Sequence, residues 1–385
     1  MKELTDSRQQ IKTRYKMRDI VTCVVISSLC GMRDWEEIHY FVKLKYDFFR
    51  KFLKMTGGIP SAKTYQRVMA IIDKKELEKI VLDFFTSITV NLYSKVDIIN
   101  IDGRVNNGSK RKATAKASSV SPLNFLNAYS NNMRMCIAQE IIDKKTNEIP
   151  TTAALLERLN VKDCIITWDA LNTKKENISA VIKSKVFYIV PIKGNHPLFY
   201  QDLQDYFDKD EQNLIVSGKP NAAYKKDNEY KNGSAITCEY FQTTDEKWYE
   251  DYKSWEHLKN IGMVKKTMVS EKDAKEETIV ECRYYISNID LNIKLFSEAI
   301  RKNWSVENKS HWHLDVTFNL DNNHTLDKDA LANLEIINKF CLGMLERVKP
   351  YYKISLKRIM NLLRLDIENG FPDFLAFFAL ATEGI

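Results

Sequence analysis

The sequence predicts an α/β protein: a helical N-terminal domain, a core with a mixed β-sheet, and a partly β insertion. Three observations predict this fold class. Helical periodicity runs through residues 1–95. Strand-like runs and a strand-helix-strand alternation follow, as is typical of a mixed sheet. Residues 206–285 are then rich in Lys, Asp, Glu and Tyr, and they contain further β-like runs.

The N-terminal domain is predicted to be helical and to be divided at the turn Gly57-Gly58-Ile59-Pro60-Ser61. Ser61 is a suitable N-cap for the next helix, whose apolar positions share one face. Lys63 and Arg67 project away from that face. They are candidates for contact with DNA, and a solvated helix face is the alternative.

The first part of the core is expected over residues 96–205. Its predicted helices are Thr151–Leu159 and Lys174–Ile182, and its predicted strands are Val96–Ile101, Asn124–Tyr129, Met133–Ile142, Cys164–Thr167 and Val186–Ile192.

The second part of the core is expected over residues 286–350, after the inserted subdomain at 206–285. It contains a helix over Ile293–Leu314 and a long helix from about Lys328 to Val348. A C-terminal helical extension, residues 351–385, is predicted to break at Gly370-Phe371-Pro372. The β-like runs of the insertion are Ile236–Gln242, Gly262–Met268 and Thr278–Ser287.

Composition indicates a soluble globular protein, with 44% hydrophobic and 28% charged residues. The formal net charge of +7 is compatible with binding to a polyanion. The seven cysteines are scattered without a CxxC pair, and the N-terminus is polar, so we expect a cytoplasmic protein without membrane association. The absence of P-loop, dinucleotide-binding and G-x-S-x-G motifs argues against NTPases, dehydrogenases and α/β-hydrolases.

Three acidic residues stand at unusual places in the pattern. Glu307 falls on the apolar stripe of the predicted helix 293–314, while Asp102 and Asp169 each end an apolar strand. Carboxylates at the edge of a sheet bind hard cations such as Mg²⁺ or Mn²⁺, and two such ions activate an attacking oxygen during phosphodiester cleavage. The simpler alternatives are an Asp-Gly turn at Asp102 and a helix N-cap at Asp169.

The chain from Gly103 to Gln139 carries basic residues and no acid. Such a loop beside a metal cluster suits the phosphate backbone of DNA, and a solvated loop is the alternative. The candidate DNA contacts in it are Arg104, Lys110, Arg111, Lys112 and Lys116.

These residues resemble the motifs of DDE transposases of bacterial insertion sequences, in particular the ISAs-type, H-repeat-associated family. The run Arg301-Lys302-Asn303-Trp304-Ser305-Val306-Glu307-Asn308, followed by His311-Trp312, is similar to the signature around the last acid. Ile101-Asp102-Gly103 resembles the first aspartate motif, and Thr167-Trp168-Asp169-Ala170-Leu171 the second. Lys193-Gly194-Asn195 resembles the end of the next strand, and Gly58-Ile59-Pro60-Ser61 fits the associated N-terminal domain.

The resemblance implies an RNase H-like catalytic core with Asp102, Asp169 and Glu307 as the triad that binds two Mg²⁺ or Mn²⁺ ions. Asn308 and His311 are implied as supporting residues. The implied reaction is hydrolysis at the element ends, then attack of the freed 3′ hydroxyl on double-stranded target DNA, by a dimer or larger assembly in the bacterial cytoplasm. One departure is Arg104, where the family usually has lysine. The alternatives are a DNA-binding relative without catalysis and a metal-dependent nuclease without strand transfer.

Overall fold

The computed structural model describes residues 4–9, 13–88, 96–110, 121–142, 148–159, 163–215, 220–245, 254–272, 275–306 and 312–383. The chain divides into two compact units. The first contains Met1–Lys95, Gly103–Asp143 and Val306–Ile385, and the second contains Val96–Asp102 and Lys144–Ser305. The five segments expected from the sequence are consecutive along the chain, whereas each of these units combines stretches that are distant in the sequence.

The N-terminal part of the first unit is helical, as predicted. Polar side chains cap two of its helices: the Asp34 carboxylate accepts the N–H of Glu37 at 2.8 Å, and the Ser61 hydroxyl accepts that of Thr64 at 3.3 Å. Gly58 in the intervening turn has φ +80°, a conformation that only glycine adopts without strain. The helices are α1 (Met17–Leu29), α2 (Trp35–Leu44), α3 (Tyr46–Arg50), α4 (Ala62–Ile71) and α5 (Lys74–Ile88).

A long, largely buried helix, α10 (Lys328–Tyr352), lies at the centre of the first unit. Asp327 caps it by accepting the N–H groups of Asp329 and Ala330 at 3.1 and 2.9 Å. The buried Asn333 amide donates to the carbonyls of Met69 and Ile72 at 2.7 and 2.9 Å. These bonds satisfy carbonyls that the end of α4 leaves open, so α10 holds α4 in place.

The predicted break at Gly370-Phe371-Pro372 is wrong. Helix α11 (Leu356–Leu365) ends at Asp366, and α12 (Ile367–Glu383) continues through Pro372. The proline removes one helical hydrogen bond. Aromatic packing outweighs that loss, since Phe374 is fully buried and Phe371 meets Phe48 edge-on with ring centroids 5.7 Å apart.

The β-strands form one mixed sheet in the order β3-β2-β1-β4-β5-β9-β8-β7-β6. Strands β1, β4 and β5 are parallel neighbours, and β5 pairs with β9 antiparallel. The first five strands form a mixed sheet, which confirms the predicted α/β class. The strands are β1 (Asp97–Asn106), β2 (Leu123–Ser130), β3 (Met135–Ile142), β4 (Cys164–Trp168), β5 (Phe187–Ile192), β6 (Ala222–Lys231), β7 (Ser234–Thr243), β8 (Asn260–Lys272) and β9 (Lys275–Ser287).

The remaining helices belong to the second unit, and they are α6 (Glu148–Leu159), α7 (Lys175–Lys183), α8 (Pro197–Ile215) and α9 (Ile293–Val306). Helix α8 and strand β6 were not predicted. Helix α8 buries Phe199, Leu203 and Phe207 at four-residue steps, a helical pattern that the many charges around it obscure. Strand β6 lies at the edge of the sheet and is rich in charged residues, as exposed edge strands are.

Helix α9 packs on the parallel strands of the second unit. Its apolar side chains enter one buried cluster with residues of β1, β4 and β5, including Ile98, Ile165, Ile189, Phe296, Ala299 and Ile300. Among the described residues, none of the helices has both the length and the apolar composition needed to cross a bilayer.

Candidate active site

Asp102 lies within strand β1, which continues to Asn106, so the prediction that this strand ends at Asp102-Gly103 is wrong. Side chains beyond it alternate between exposed and buried, with Arg104 and Asn106 inside. Polar residues at buried positions hide this alternation in the sequence. The Asp102 side chain is half-buried. Because Asp102 and Gly103 both lie within the strand, the alternative that Asp102 belongs to an Asp-Gly turn is excluded.

Asp169 directly follows β4 and caps a short 3-10 helix, Ala170–Asn172. Its Oδ1 accepts the N–H of Ala170 at 2.7 Å and lies 3.7 Å from the Nζ of Lys193. The carboxylate is 53% exposed, so these two contacts orient it while leaving it open to solvent. The N-cap alternative is thus correct as local structure, and it is compatible with a second role for the same carboxylate.

The chain that follows β5 packs along the loop that begins at Asp169. Asn195 donates to the Ala170 carbonyl at 2.8 Å, and the His196 ring lies 2.6 Å from the Thr173 carbonyl. The Thr173 hydroxyl donates to the Pro191 carbonyl at 2.8 Å. The motif that begins at Lys193 therefore holds the loop after the second aspartate.

The two aspartates occupy equivalent positions on neighbouring parallel strands. The last register pair between β1 and β4 is Ile101 with Trp168. Asp102 is the next residue of β1, and Asp169 is the first residue after β4. Because neighbouring strands lie about 4.8 Å apart, we expect the two backbones to hold the carboxylates at one level of the sheet, a single strand spacing apart. Two oxygen-donor side chains at this spacing suit a hard divalent cation.

A buried amide contact joins α9 to β1. The Nδ2 of Asn100, which is 1% exposed, donates to the Oδ1 of Asn303 at 3.1 Å. Asn100 precedes Asp102 by two residues and therefore lies on the same face of β1. The sequence alone assigned no role to Asn100 or to Asn303, although Asn303 lies in the run that resembles the last acidic motif.

Helix α9 runs in the same direction as β1. Strands β1, β4 and β5 are parallel, and β9 is antiparallel to β5. The residue numbers of β9 therefore decrease in the direction in which the residue numbers of β1 increase. Tyr285 meets Phe296 with ring centroids 5.8 Å apart, and Arg283 lies over the Trp304 ring at 4.9 Å. The contacts therefore move from Phe296 to Trp304 along α9 as they move from Tyr285 back to Arg283 along β9. Helix α9 thus runs opposite to β9 and in the same direction as β1.

Arg104, predicted to contact DNA, is instead a buried structural cation. Its guanidinium is 3% exposed, and it donates from Nε to Asp315 at 2.9 Å and from Nη1 to Glu335 at 2.8 Å. Burial alone would lower the pKa of Arg104, but Glu335 and Asp315 raise it above its ordinary value. The prediction of a DNA contact is wrong because these carboxylates take up the guanidinium donors.

The other basic candidates divide into two groups. Lys63, Arg67 and Lys110 are exposed, the first two on α4 and the third just after β1. Arg111, Lys112 and Lys116 lie outside the described residues.

Glu307, Asn308 and His311 also lie outside the described residues, although α9 ends one residue before Glu307. Within the described part of the chain, no three His, Cys, Asp or Glu side chains are grouped so as to hold a metal ion. The structure therefore places two acids of the predicted triad directly after paired residues of neighbouring strands, and the third lies outside the described residues.

Comparisons with known proteins agree with these motifs. The family model described as "Transposase DDE domain" matches residues 93–343, and the model described as "DDE_Tnp_1-associated" matches residues 1–85. The chain is 28% identical to "Putative transposase YncI" of Escherichia coli O157:H7, covering 90% of this chain and 86% of that protein. It is 26% identical to "H repeat-associated putative transposase YhhI" of Escherichia coli strain K12, covering 94% and 93%. A solved structure of a piggyBac transposase synaptic complex with hairpin DNA is 10% identical with a TM-score of 0.35, over 98% of this chain and 75% of that one.

Proposed function

Since this chain belongs to the DDE transposase family, we propose that it cleaves DNA at the ends of an insertion sequence and joins the freed ends to target DNA. Transposases act on DNA, and the family generally uses divalent metal ions, so DNA is the partner and substrate.

We assign Asp102, Asp169 and Glu307 as the metal-binding catalytic triad. The observation that carries this assignment is the parallel register of β1 and β4, which gives both aspartates the same position on adjacent strands. Their carboxylates would supply oxygen ligands for two divalent ions, either Mg²⁺ or Mn²⁺. When bound, such ions lower the pKa of an attacking oxygen and stabilise the leaving oxygen of the phosphodiester.

The direction of α9 supports Glu307 as the third member. Asn303 lies beside Asn100, and α9 rises with β1.

Two neighbouring groups orient Asp169. The Ala170 N–H holds Asp169 Oδ1 in a fixed direction, and the Lys193 ammonium offsets part of its negative charge. Asn308 and His311 are proposed as supporting residues, on the strength of their motif positions alone.

DNA binding is proposed for two basic surfaces. One is the exposed Lys63 and Arg67 on α4 in the N-terminal domain, residues 1–95. The other is Lys110 with the adjoining Arg111, Lys112 and Lys116. Because two element ends must meet, we propose a homodimer or larger assembly on DNA.

We propose that residues 96–205 and 286–350 form the catalytic core, that residues 206–285 form the insertion, and that residues 351–385 form a C-terminal extension.

The test uses the purified chain, labelled DNA with candidate element ends, and Mg²⁺ or Mn²⁺ against a chelator. The decisive variant is Asp169→Asn, which we expect to abolish metal-dependent cleavage. A matched control is Asp163→Asn, the same chemical change at the opposite end of β4. Asp163 is exposed and has φ +50°, a conformation that asparagine also adopts readily.

Three results separate the alternatives. Cleavage and joining by the wild type and by Asp163→Asn, with loss in Asp169→Asn, supports the transposase. Cleavage without joining would indicate a nuclease, and a gel shift without cleavage would indicate a DNA-binding relative. Unchanged cleavage by Asp169→Asn would refute the assigned triad.

A further inference from the structure

Lys193 forms an ion pair with Asp169, one of the two aspartates of the candidate active site. Its Nζ lies 3.7 Å from Asp169 Oδ1, and the two side chains are 55% and 53% exposed. The separation is longer than a hydrogen bond, so this contact leaves the ammonium donors to other acceptors. An exposed ion pair of this kind is weak, and little free energy is needed to separate it.

The backbone at Lys193 is fixed, although the side chain is exposed. Lys193 directly follows β5, and its carbonyl accepts the N–H of His196 at 2.9 Å. Within the same turn, Asn195 donates to the Ala170 carbonyl at 2.8 Å. The turn that carries the lysine is therefore attached to the loop that begins at Asp169, while the flexible four-carbon stem of the side chain can move.

A second acid near Lys193, Glu281, has a closer partner of its own. Glu281 accepts a hydrogen bond from the Nε of Arg283 at 2.7 Å. That bond is the main cause of the lowered pKa of Glu281, and the charge of Lys193 contributes more weakly. Arg283 therefore accompanies Glu281, and Lys193 accompanies Asp169.

Metal binding at Asp169 would disturb this ion pair. The Ala170 N–H and the Lys193 ammonium both contact the same oxygen, Oδ1, so these two contacts leave Oδ2 to a metal ion. An ammonium and a divalent ion on one carboxylate repel each other, and the exposed ammonium is the one that can move. A phosphate group of DNA would accept the ammonium and face the metal ion at the same time.

The surface beside Lys193 is open to a bulky ligand. A Cβ at Gly194 would meet no atom within 4 Å, and the Leu198 side chain is 81% exposed. Leu171, two residues after Asp169, is 67% exposed. A strand of DNA can therefore reach the ammonium and the carboxylate together.

We propose that Lys193 is a phosphate-binding residue that pairs with Asp169 while DNA is absent and moves to a DNA phosphate when DNA and metal ions bind. DNA binding and metal binding at Asp169 then promote each other, and the effect is equal in both directions. This inference rests on the proposed function, because it assumes that Asp169 binds the metal ions that act on DNA.

The test uses the full-length protein and two variants, Lys193→Met and Lys193→Arg. Mn²⁺ titration followed by electron paramagnetic resonance measures metal affinity, with and without DNA that carries a candidate element end, at low temperature to slow cleavage. Without DNA, Lys193→Met should bind Mn²⁺ about threefold more tightly than the wild type, because a competing exposed cation has been removed. With DNA, the wild type should gain Mn²⁺ affinity, and Lys193→Met should gain about threefold less.

The salt dependence of DNA affinity, measured at a fixed Mn²⁺ concentration, is the second readout. Loss of one phosphate contact should reduce the salt slope of Lys193→Met by about 1. Lys193→Arg keeps the positive charge, so it should restore both the slope and the Mn²⁺ affinity of the wild type. A merely structural role for Lys193 would change the melting temperature and neither of these two quantities.

The matched control is Lys259→Met, the same change in another exposed ion pair of the second unit. Lys259 Nζ lies 2.7 Å from Asp290 Oδ1. The Lys259 N–H donates to Ser287, which pairs with Ile189 near the start of β5, whereas Lys193 follows the end of that strand. Lys259→Met should therefore keep the Mn²⁺ affinity and the salt slope of the wild type.

Failure of the inference and failure of the proposed function are distinguishable. Unchanged or weaker Mn²⁺ binding by Lys193→Met without DNA would overturn the inference, and so would an unchanged salt slope or equal effects in Lys259→Met. Cleavage by the wild type would leave the proposed function standing in each of these cases. A wild type that neither binds Mn²⁺ nor cleaves DNA would refute the proposed function and the inference together.

Discussion

Replacement of Glu335 by glutamine should strongly destabilise the first unit. The Glu335 carboxylate is 0% exposed and faces two cations, with Arg104 Nη1 at 2.8 Å and Lys339 Nζ at 3.0 Å. Lys339 also bonds to the side chains of Asn127 and Gln139. With Asp315, the cluster holds two positive and two negative groups, so Glu335→Gln leaves it with one uncompensated positive charge.

The expected loss of unfolding free energy depends on the partners that Arg104 and Lys339 retain in the variant. Removing one partner of a buried ion pair costs about 3–5 kcal/mol. Arg104 retains Asp315, and Lys339 retains two amide oxygens, so we expect a loss near the lower end, about 3 kcal/mol. Set against a typical unfolding free energy of about 5–15 kcal/mol, this is a large fraction.

The pH dependence has a definite sign. Burial alone would raise the pKa of Glu335, but Lys339 and Arg104 outweigh it and hold the pKa below 4.5. A lowered folded-state pKa means that the stabilisation is present above the unfolded value and is lost as pH falls through the folded value. Glu335→Gln should therefore flatten the stability profile below about pH 4.5.

The assay is urea unfolding of four proteins: the wild type, Glu335→Gln, Lys339→Met and the double variant. The double variant restores charge balance, so it should be more stable than the sum of the single losses predicts, by about 1–3 kcal/mol. Strict additivity would refute the view that these charges act as one balanced cluster. A loss below about 1 kcal/mol for Glu335→Gln would refute the estimated magnitude.

Three further changes test other parts of the structure. Burial lowers the pKa of His313 to about 4, although Glu346 lies 3.7 Å from its ring. The free energy of unfolding should therefore fall as the pH drops from about 6.5 toward 4. The variant His313→Asn should remove up to about 3 kcal/mol of this pH dependence. Gly262→Ala would place a methyl group 2.3 Å from a buried phenyl ring, and thermal unfolding should show a loss of about 3 kcal/mol. Lys63→Ala with Arg67→Ala should weaken binding to all DNA sequences alike and reduce the salt slope by about 1–2.

Each of these has a contrary outcome. An unchanged acid profile in His313→Asn would assign the pH dependence to other groups. Wild-type stability of Gly262→Ala would contradict the close packing of α9 on β8. Loss of binding to a single DNA sequence, with an unchanged salt slope, would show that α4 reads bases and does not merely contact phosphates.

Most elements followed from local patterns. Period-3.6 and period-2 hydrophobicity predicted α10 and the strands β4 and β5 within a few residues, because their buried faces are apolar. Ser61 could be assigned as a cap because its partner Thr64 is three residues away. Where the partner was distant, prediction failed: Arg104 has the composition of a DNA contact, yet its carboxylates lie 211 and 231 residues further along the chain.

The sequence by itself determined most of the secondary structure, the family, and the two aspartates that follow apolar residues in β1 and β4. Tertiary structure alone decided that β1 passes through Asp102, that α12 passes through Pro372, and that Asn100 meets Asn303. The physical reason is range. Hydrophobic periodicity and capping act over a few residues, whereas a buried charge or amide is stable only beside a partner that folding brings from elsewhere in the chain.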